Sequence, residues 1–188
     1  MYYKIRWYRG VFSSFGVILF FYLEDIVMRK FEKVSREIFE RDVVDGNYDE
    51  LILPKRGTKY SAGYDFYSPI TFTLMPGERK VIPTGIKVCM EENEFLAIYV
   101  RSSLGFKWDV RMCNQVGIID ADYYNNSENE GHIFVCLKNE GIKEVNINKG
   151  DRFVQGIFTP YLITDDDSAT GSREGGIGST NKGDDNNE

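Results

Sequence analysis

Short runs of apolar residues, separated by turn-forming residues, dominate the chain from residue 49 to residue 163. Pro76-Gly77, Asn139-Glu140-Gly141 and Lys149-Gly150 are turn signals between such runs. The pattern predicts strands at residues 50–53, 64–67, 70–74, 80–82, 86–90, 95–100, 116–119, 132–138, 144–147 and 151–158. Many short strands with regular turns are typical of an all-β barrel or sandwich, such as a jelly roll. The sequence contains neither G-x-G-x-x-G after a strand nor a Walker A loop, which disfavours the usual nucleotide-binding folds.

The segment before this domain has a different periodicity. Residues 28–48 carry apolar side chains at a spacing that favours a short amphipathic helix, and Gly46 and Asn47 end the pattern. The apolar positions are Phe31, Val34, Ile38 and Phe39. We therefore predict a short N-terminal helical arm over residues 28–48.

An apolar run occupies residues 11–23 and follows a basic stretch. This order resembles the start of a signal peptide, but Glu24 and Asp25 stand where small residues of a cleavage site are expected. The run is also shorter than the roughly 20 apolar residues of a membrane span. We favour a third interpretation, in which translation starts at Met28 and residues 1–27 are a translated ribosome-binding region. A signal or membrane anchor is the alternative.

Charge and cysteine content narrow the classes of function. The formal net charge of −6 disfavours a nucleic-acid-binding protein, although a small anion needs only a local cluster of donors. Cys89, Cys113 and Cys136 form no C-x-x-C pair, which is typical of a reduced cytoplasmic protein without structural zinc. Residues 164–188 are rich in Asp, Ser, Gly, Thr and Asn, and they predict a flexible tail.

Five polar segments carry candidate chemistry, at residues 62–66, 101–105, 114–123, 150–155 and 173–180. Arg101, Ser102 and Ser103 offer a cation and two hydroxyls beside a glycine, which suits a phosphate cradle. The alternative is a polar turn at a strand end. Asp120 follows an apolar strand and could act as a general base, or could simply cap that strand.

The third and fifth segments each allow two interpretations. Tyr123 is either a core or interface aromatic or a platform for a ligand. The glycine-rich tail is either a linker or, through Arg173 and the pair Ser179-Thr180, a flap that binds phosphate.

Taken together and in this order, the five segments resemble the five motifs of the trimeric dUTPase family, over about residues 49–182. Arg-Ser-Ser-Leu-Gly at 101–105, Asn114, Gly117 and Ile119-Asp120 match the second and third motifs without a gap. The resemblance implies a distorted jelly-roll β-barrel over residues 49–163. It also implies a homotrimer with active sites at subunit interfaces. Together with the cysteine content and the net charge, we expect a cytoplasmic protein without a membrane or nucleic-acid partner.

The activity implied by the resemblance is Mg²⁺-dependent hydrolysis of dUTP to dUMP and pyrophosphate. That reaction keeps uracil out of DNA and supplies dUMP for dTMP synthesis. Asp120 matches the aspartate that activates water for attack on the α-phosphorus, and Gln155 matches a glutamine that helps to place phosphate and water. In this family the metal is held mainly by phosphates and waters, and Asp65 acts on it through water. We expect Arg152 to brace the site by ion pairing, because it lies one strand period away from a direct role.

The resemblance also implies a set of substrate contacts. Tyr123 stacks under the deoxyribose and excludes a 2′-hydroxyl. The expected phosphate contacts are Arg101, Ser102 and Ser103, with Arg173, Gly178, Ser179 and Thr180 closing over them from a neighbouring subunit. The expected contacts to uracil are Asn114 and main-chain groups of the hairpin that includes Gly117, Ile118, Ile119 and Phe134.

The chain departs from the family pattern at several points. Residues 124–130 form a longer loop after Tyr123 than the family usually has, which affects the hairpin tip more than its walls. Ile177 stands where an aromatic usually stacks on uracil, and the spacing from the arginine to the glycine of the fifth motif is one residue short. We expect weaker closure of the tail. Val154 replaces a usual alanine and requires a small repacking.

Two rival functions share this fold. A dCTP deaminase also carries Arg-Ser-Ser-Leu-Gly, but it needs a glutamate at the position that Cys136 occupies here. A non-catalytic nucleotide-binding regulator is the second rival, and the presence of Asp120 counts against it. Ammonia release from dCTP would support the first, and absence of pyrophosphate production would support the second.

Overall fold

Antiparallel strands make up most of the regular secondary structure in this computed structural model, which describes residues 3–7, 21–25, 29–171, 173 and 175. The elements in chain order are β1 (Tyr3–Trp7), β2 (Phe21–Asp25), β3 (Lys30–Lys33), α1 (Arg36–Asp42), β4 (Lys55–Arg56), β5 (Tyr64–Tyr67), β6 (Phe72–Leu74), β7 (Arg79–Pro83), β8 (Ile86–Cys89), β9 (Glu94–Val100), α2 (Ser102–Trp108), β10 (Val110–Met112), β11 (Gly117–Asp120), β12 (Phe134–Asn139), β13 (Val145–Ile147) and β14 (Arg152–Pro160). The all-β prediction is confirmed.

The largest sheet has the strand order β11-β9-β14-β5-β4. A second sheet has the order β10-β12-β7, and the pairs β13-β6 and β3-β8 complete the domain. All of these pairings are antiparallel, and within the described domain only β4 and β5 are both consecutive in the chain and paired, so most neighbouring strands are linked by crossover connections. Inward-facing side chains of the sheets and of α1 form one apolar core, which includes Phe39, Phe66, Leu96, Val135 and Phe153.

The first predicted strand, residues 50–53, is wrong. Residues Tyr48–Glu50 form a 3₁₀ turn instead, because the side chain of Asn47 accepts a hydrogen bond from the backbone N–H of Asp49. Pro54 has no backbone N–H to donate to a neighbouring strand, and regular strand pairing begins only at β4. The short strand β10 was not predicted, since only Val110 and Met112 mark it in the sequence.

The predicted helical arm consists of a strand followed by a helix. β3 pairs with β8 and directs Phe31 into a cluster with Tyr64, Phe66 and Phe158. The helical part of the prediction is confirmed as α1, which begins after Ser35, whose hydroxyl accepts a hydrogen bond from Ile38 N–H at 3.2 Å. The spacing of apolar residues alone did not distinguish the strand β3 from the helix α1, because pairing with β8 decides the conformation of β3.

The N-terminal extension contributes one two-stranded pairing, in which β1 runs antiparallel to β2. Residues 8–20 and 26–28, including much of the apolar run and Met28, lie outside the described residues. The start of translation at Met28 therefore stays a prediction. Within the described ranges, no helix has the length and apolar character needed to span a bilayer.

A fully buried histidine links α1 to the rest of the domain. His132 Nε2 accepts a hydrogen bond from Gly85 N–H at 2.8 Å, and Nδ1 lies 2.8 Å from a carboxylate oxygen of Asp42 at the end of α1. The ring is therefore neutral and donates from Nδ1, so this contact is a hydrogen bond and not an ion pair. Burial lowers the pKa of His132, and the interaction with Asp42 only partly opposes that shift.

Because of this buried histidine, the free energy of unfolding should already fall at pH values above those at which carboxylates take up protons. A lowered folded-state pKa means that the unfolded chain binds a proton first as the pH falls below about 6.5, so stability present above that pH is lost. The loss from this one group approaches about 1.4 kcal/mol per pH unit at its steepest. Urea unfolding at pH 7.5, 6.0 and 5.0, at fixed protein concentration, measures it.

His132→Gln is the control, because it removes the titrating ring from the same site. Burial alone would raise the pKa of Asp42, but hydrogen bonds from Arg41 and His132 lower it overall. Burial likewise opposes a lowered pKa at Glu130, but hydrogen bonds from Ser35 and Lys87 outweigh it. Asp42 and Glu130 therefore take up protons at a lower pH than the one at which His132 affects stability. An equal loss of stability between pH 7.5 and 5.0 in both proteins would show that His132 is not responsible.

Candidate active site

Arg101 joins the end of β9 to the start of α2. Its backbone N–H donates to Phe153 C=O at 3.3 Å, and its carbonyl accepts from Leu104 and Gly105 N–H at 3.0 and 3.1 Å. Ser102 and Ser103 occupy the first turn of α2 and are exposed. The predicted phosphate-binding residues therefore lie side by side, on a turn that the neighbouring strand β14 fixes.

The side chain of Arg101 is held by a buried carboxylate. Asp65, which is 7% exposed, forms an ion pair with Arg101 Nε at 2.9 Å and another with Arg152 Nη1 at 3.1 Å. Its two oxygens thus each face one guanidinium. Removal of either partner from such a buried pair commonly costs about 3–5 kcal/mol, less where the arginine is partly exposed as here. Asp65 fixes the direction in which Arg101 presents its remaining donors.

Gln155 lies in the same region, opposite Asp65 in the pairing of β14 with β5. Gly63 immediately precedes β5, and a Cβ at this glycine would lie 2.3 Å from Gln155 Oε1. That distance is far below van der Waals contact. The glycine of the first motif is therefore what allows the Gln155 carboxamide to occupy its position.

Asp120 lies elsewhere, at the end of β11, opposite Phe95 in the pairing with β9. Its side chain is half-exposed and borders a cavity of about 550 Å³. Met90, Glu92, Ala121, Asp122, Tyr161 and Arg173 line the same cavity. A carboxylate at the end of an apolar strand and open to a cavity can reach both solvent and ligand.

Arg173 of the tail contacts this region of its own chain. Its Nη2 donates to Asp120 Oδ2 at 2.6 Å, and its Nε donates to Asp122 Oδ1 at 3.1 Å. The guanidinium also lies over the ring of Tyr123, 5.5 Å from the centroid. The predicted role of Arg173 on a neighbour's phosphates stays a prediction, and Gly178, Ser179 and Thr180 lie outside the described residues.

The residues predicted to contact uracil flank β11 and begin β12. Asn114 is exposed in the turn before β11, where Gln115 adopts a positive φ of 62°. Gly117 is buried, and a Cβ there would lie only 3.2 Å from Ile98 Cβ. The strands β11 and β9 therefore lie close together at this glycine. Ile118 is 54% exposed, in contrast to its half-buried neighbour Ile119. Phe134, at the start of β12, is half-buried against the ring of His132.

Tyr123 is almost fully buried, with 5% of its surface exposed, in a 3₁₀ turn that follows Asp120. Its hydroxyl donates to His132 C=O at 2.9 Å and accepts from Asn129 Nδ2 at 2.8 Å. Burial raises the pKa of Tyr123 and favours the neutral phenol. The predicted platform is thus a rigid aromatic with a fixed hydroxyl.

The two groups of predicted residues lie at opposite ends of β9. Asp120 is opposite Phe95 at one end, whereas Arg101 follows Val100 at the other. Extended chain of this length spans about 20 Å at roughly 3.3 Å per residue, which is too far for one nucleotide's α-phosphate to contact both. A single copy of the chain therefore does not bring its predicted base and its predicted phosphate-binding residues together.

Sequence reasoning missed several residues that shape these groups. Asp122 shares Arg173 with Asp120, and its position two residues beyond the strand end was a usable signal. Asn129 and Asn126 support Tyr123 from within a polar loop, where composition gave no indication of burial. The steric role of Gly63 requires knowledge of the opposing strand, which the sequence alone does not supply.

Comparison with known sequences agrees with this arrangement. A family model described as dUTPase matches residues 49–181. Deoxyuridine 5′-triphosphate nucleotidohydrolase of Lactococcus lactis is 48% identical over 130 residues, which are 68% of this chain and 87% of the relative. The protein of the same name from Haemophilus influenzae is 35% identical over 142 residues, 71% of this chain and 90% of the relative.

Solved structures show the same architecture. The crystal structure of dUTPase from Streptococcus mutans has a TM-score of 0.62 at 39% identity, and the match covers 73% of this chain and 99% of that chain. A dUTPase from phage phi11 of Staphylococcus aureus, described with a structural Mg(II) ion, has a TM-score of 0.58 at 22% identity and covers 76% and 96%, a likeness of fold alone. The mostly β arrangement agrees with the predicted jelly roll of this type. From residue 49 onward, the chain belongs to the dUTPase family.

Proposed function

We propose that this protein hydrolyses dUTP to dUMP and pyrophosphate, with Asp120 as the base that activates the attacking water. The observation that carries the mechanism is a half-exposed carboxylate at the end of an apolar strand, open to a cavity. Such a group can accept a proton from water aligned with the α-phosphorus, and pyrophosphate leaves on the opposite side. The family relationship supplies the substrate class, since the relatives are named for deoxyuridine triphosphate.

Arg101, Ser102 and Ser103 bind the phosphates in this mechanism. Asp65 already holds Arg101 by its Nε, so the outer guanidinium nitrogens stay available to an incoming anion. Arg152 shares the same carboxylate and acts as a brace, not as a direct ligand. Gln155 adjoins this group and helps to orient the phosphate chain and the water.

Mg²⁺ suits this site as an ion carried by the nucleotide. Within the ranges that the structure describes, no three His, Cys, Asp or Glu side chains lie close enough together to hold a metal ion. Mg²⁺ commonly keeps several waters and binds through substrate phosphates with one or two carboxylates. Asp65 is the carboxylate that could reach it through water. When bound, the ion would offset the charge of the triphosphate and polarise its phosphoryl oxygens.

Uracil and deoxyribose are read by the segment from Asn114 to Phe134. Backbone donors and acceptors of a strand edge can match the edge of uracil, and a mismatched buried polar group costs about 1–3 kcal/mol, which disfavours cytosine. Asn114 adds a side-chain amide at the start of this segment. Tyr123 stacks against the sugar and leaves no room for a 2′-hydroxyl. Arg173 now lies over this ring, so a bound nucleotide requires it to move.

A homotrimer with interfacial sites accounts for the separation of the two groups along β9. In a closed ring of identical chains, one copy presents Asp120 and Tyr123 where a neighbour presents Arg101 and its serines. The tail, with Arg173 and the run from Gly178 to Thr180, then closes over the phosphates. We place the enzyme in the cytoplasm, because three unpaired cysteines suit a reducing compartment.

The environment of Cys136 argues against the deaminase alternative. Burial and the neighbouring Cys113, whose sulfur lies 3.1 Å away, raise the pKa of Cys136 to about 11. A thiol that stays protonated near neutral pH cannot take the place of the glutamate that a dCTP deaminase uses to move protons.

Asp120→Asn should lower the rate of dUTP hydrolysis by roughly 10²–10⁴-fold and leave nucleotide binding intact, because the amide cannot accept the water's proton. Pyrophosphate release from dUTP, dCTP, dTTP and UTP, with Mg²⁺ or with excess EDTA, measures both turnover and selectivity. Asp122→Asn is the matched control, since it also removes a carboxylate partner of Arg173. Near-normal turnover by the Asp120 variant would refute the mechanism.

Mixed oligomers test whether a site draws on more than one chain. Asp120→Asn and Arg101→Gln proteins should each be nearly inactive, but refolding them together should restore activity at about a quarter of the sites, where both intact groups meet. A mixture of Asp120→Asn with Asp120→Ala is the control, since both defects lie in the same group. If neither mixture gains activity, the proposed division of the site between chains is wrong.

Gly63→Ala should reduce turnover without a comparable loss of stability, because the added methyl displaces the Gln155 carboxamide. We expect kcat to fall by tenfold or more, given that misplacement by about 1 Å can cost 10²-fold. Gly57→Ala provides the comparison, since its Cβ would meet Asp65 Oδ2 at an ordinary 3.9 Å. Equal effects of the two substitutions on kcat and on thermal unfolding would contradict the assignment.

A further inference from the structure

The loop that distinguishes this chain from the usual family pattern is ordered by buried amides. Asn126 and Asn129 are both nearly inaccessible to solvent. Asn126 Nδ2 donates to Tyr123 C=O and to Asn129 Oδ1, each at 2.8 Å. Asn129 Oδ1 also accepts from Gly131 N–H at 3.0 Å. Asn126 and Asn129 therefore turn inward onto Tyr123, while Asn125, Ser127 and Glu128 stay exposed.

The amide of Asn129 reaches the functional group of Tyr123 directly. Asn129 Nδ2 donates to the phenol oxygen at 2.8 Å, while the phenol hydrogen is directed to His132 C=O at 2.9 Å. The hydroxyl is therefore fixed both as an acceptor and as a donor. A ring held at its far end in this way cannot tilt without breaking a buried hydrogen bond, which costs about 1–3 kcal/mol.

The second end of this network is anchored in the core. His132 presents the carbonyl that accepts from Tyr123, and its ring is held between Gly85 N–H and Asp42. Gly131 approaches Tyr123 so closely that a Cβ would lie 2.5 Å from the Tyr123 carbonyl oxygen. The support behind the ring is thus continuous from the loop to the end of α1.

We propose that Asn129 is a positioning residue that holds the Tyr123 ring as a wall against ribonucleotides. The inference rests on the proposed function, in which this ring faces the sugar. A wall excludes a single added hydroxyl only if it cannot retreat by about an ångström, and a hydrophobic surface alone discriminates weakly against such an addition. The hydrogen bond from Asn129 supplies the rigidity that the ring by itself lacks.

Kinetics with dUTP and UTP test this proposal. Asn129→Ala should lower the ratio of kcat/KM for dUTP to kcat/KM for UTP by about tenfold, with the change arising from better use of UTP as well as poorer use of dUTP. Tyr123→Phe keeps the ring but removes the oxygen that Asn129 holds, so it should lower the ratio similarly. The double variant should resemble either single variant, because both remove the same hydrogen bond.

Lys87→Met separates positioning from general loosening of the loop. Lys87 holds the opposite side of the loop through Asn125 at 2.7 Å and Glu130 at 3.0 Å, and it does not contact the Tyr123 hydroxyl. This variant should keep the wild-type ratio even if its thermal stability falls. A ratio lowered as much as in Asn129→Ala would attribute discrimination to loop stability and overturn the proposal.

The outcomes distinguish this inference from the function on which it rests. A wild-type protein that releases no pyrophosphate from dUTP would remove the proposed function itself. If the wild-type protein hydrolyses dUTP and rejects UTP, and if Tyr123→Phe and Asn129→Ala reject UTP equally well, only the role of Asn129 fails. Should Asn129→Ala not fold, Asn129→Asp decides the matter, because its carboxylate keeps the acceptor for Asn126 and Gly131 but has no donor for the Tyr123 hydroxyl.

Discussion

β9 is hydrogen-bonded along both of its edges, to β11 on one side and to β14 on the other, and this double pairing determines where Asp120, Arg101 and Gln155 lie. β11 ends at Asp120, while β14 carries Arg152 and Gln155. Arg101 continues directly from β9. Because a shift of pairing by one residue would turn each side chain to the other face, the register of β9 with its two neighbours also fixes the chemistry at its two ends.

Two carboxylates, the buried Asp65 and the half-buried Asp42, connect this framework to the functional residues. Asp65 joins three strands of the main sheet by binding arginines that follow β9 and begin β14. Asp42 joins α1 to the neutral His132, behind Tyr123. In both cases a charge that would be costly to bury alone is satisfied by donors, so the arrangement tolerates few substitutions. The phosphate group and the sugar group of the proposed site each depend on one such carboxylate.

The sequence was sufficient to predict most strands because inward and outward residues alternate and turn residues separate them. It predicted the family because the five motifs keep their order, and those motifs contain the residues that the structure gathers at the ends of β9. It could not predict that residues 30–33 form a strand, since pairing with β8 overrides a spacing that fits a helix. Nor could it predict the support of Tyr123, because Asn126 and Asn129 are residue types that usually lie in solvent.

The loop after Tyr123 is closed at its base by a pair of backbone hydrogen bonds, from Asn125 N–H to Glu130 C=O and from Glu130 N–H to Asn126 C=O, both at 3.0 Å. The chain enters and leaves the loop through this narrow neck. These two hydrogen bonds therefore hold the ends of the loop together between β11 and β12. Because Asn126 and Asn129 bond to Tyr123 from inside this loop, a change of length that moves either amide would also alter the surface proposed to face the sugar.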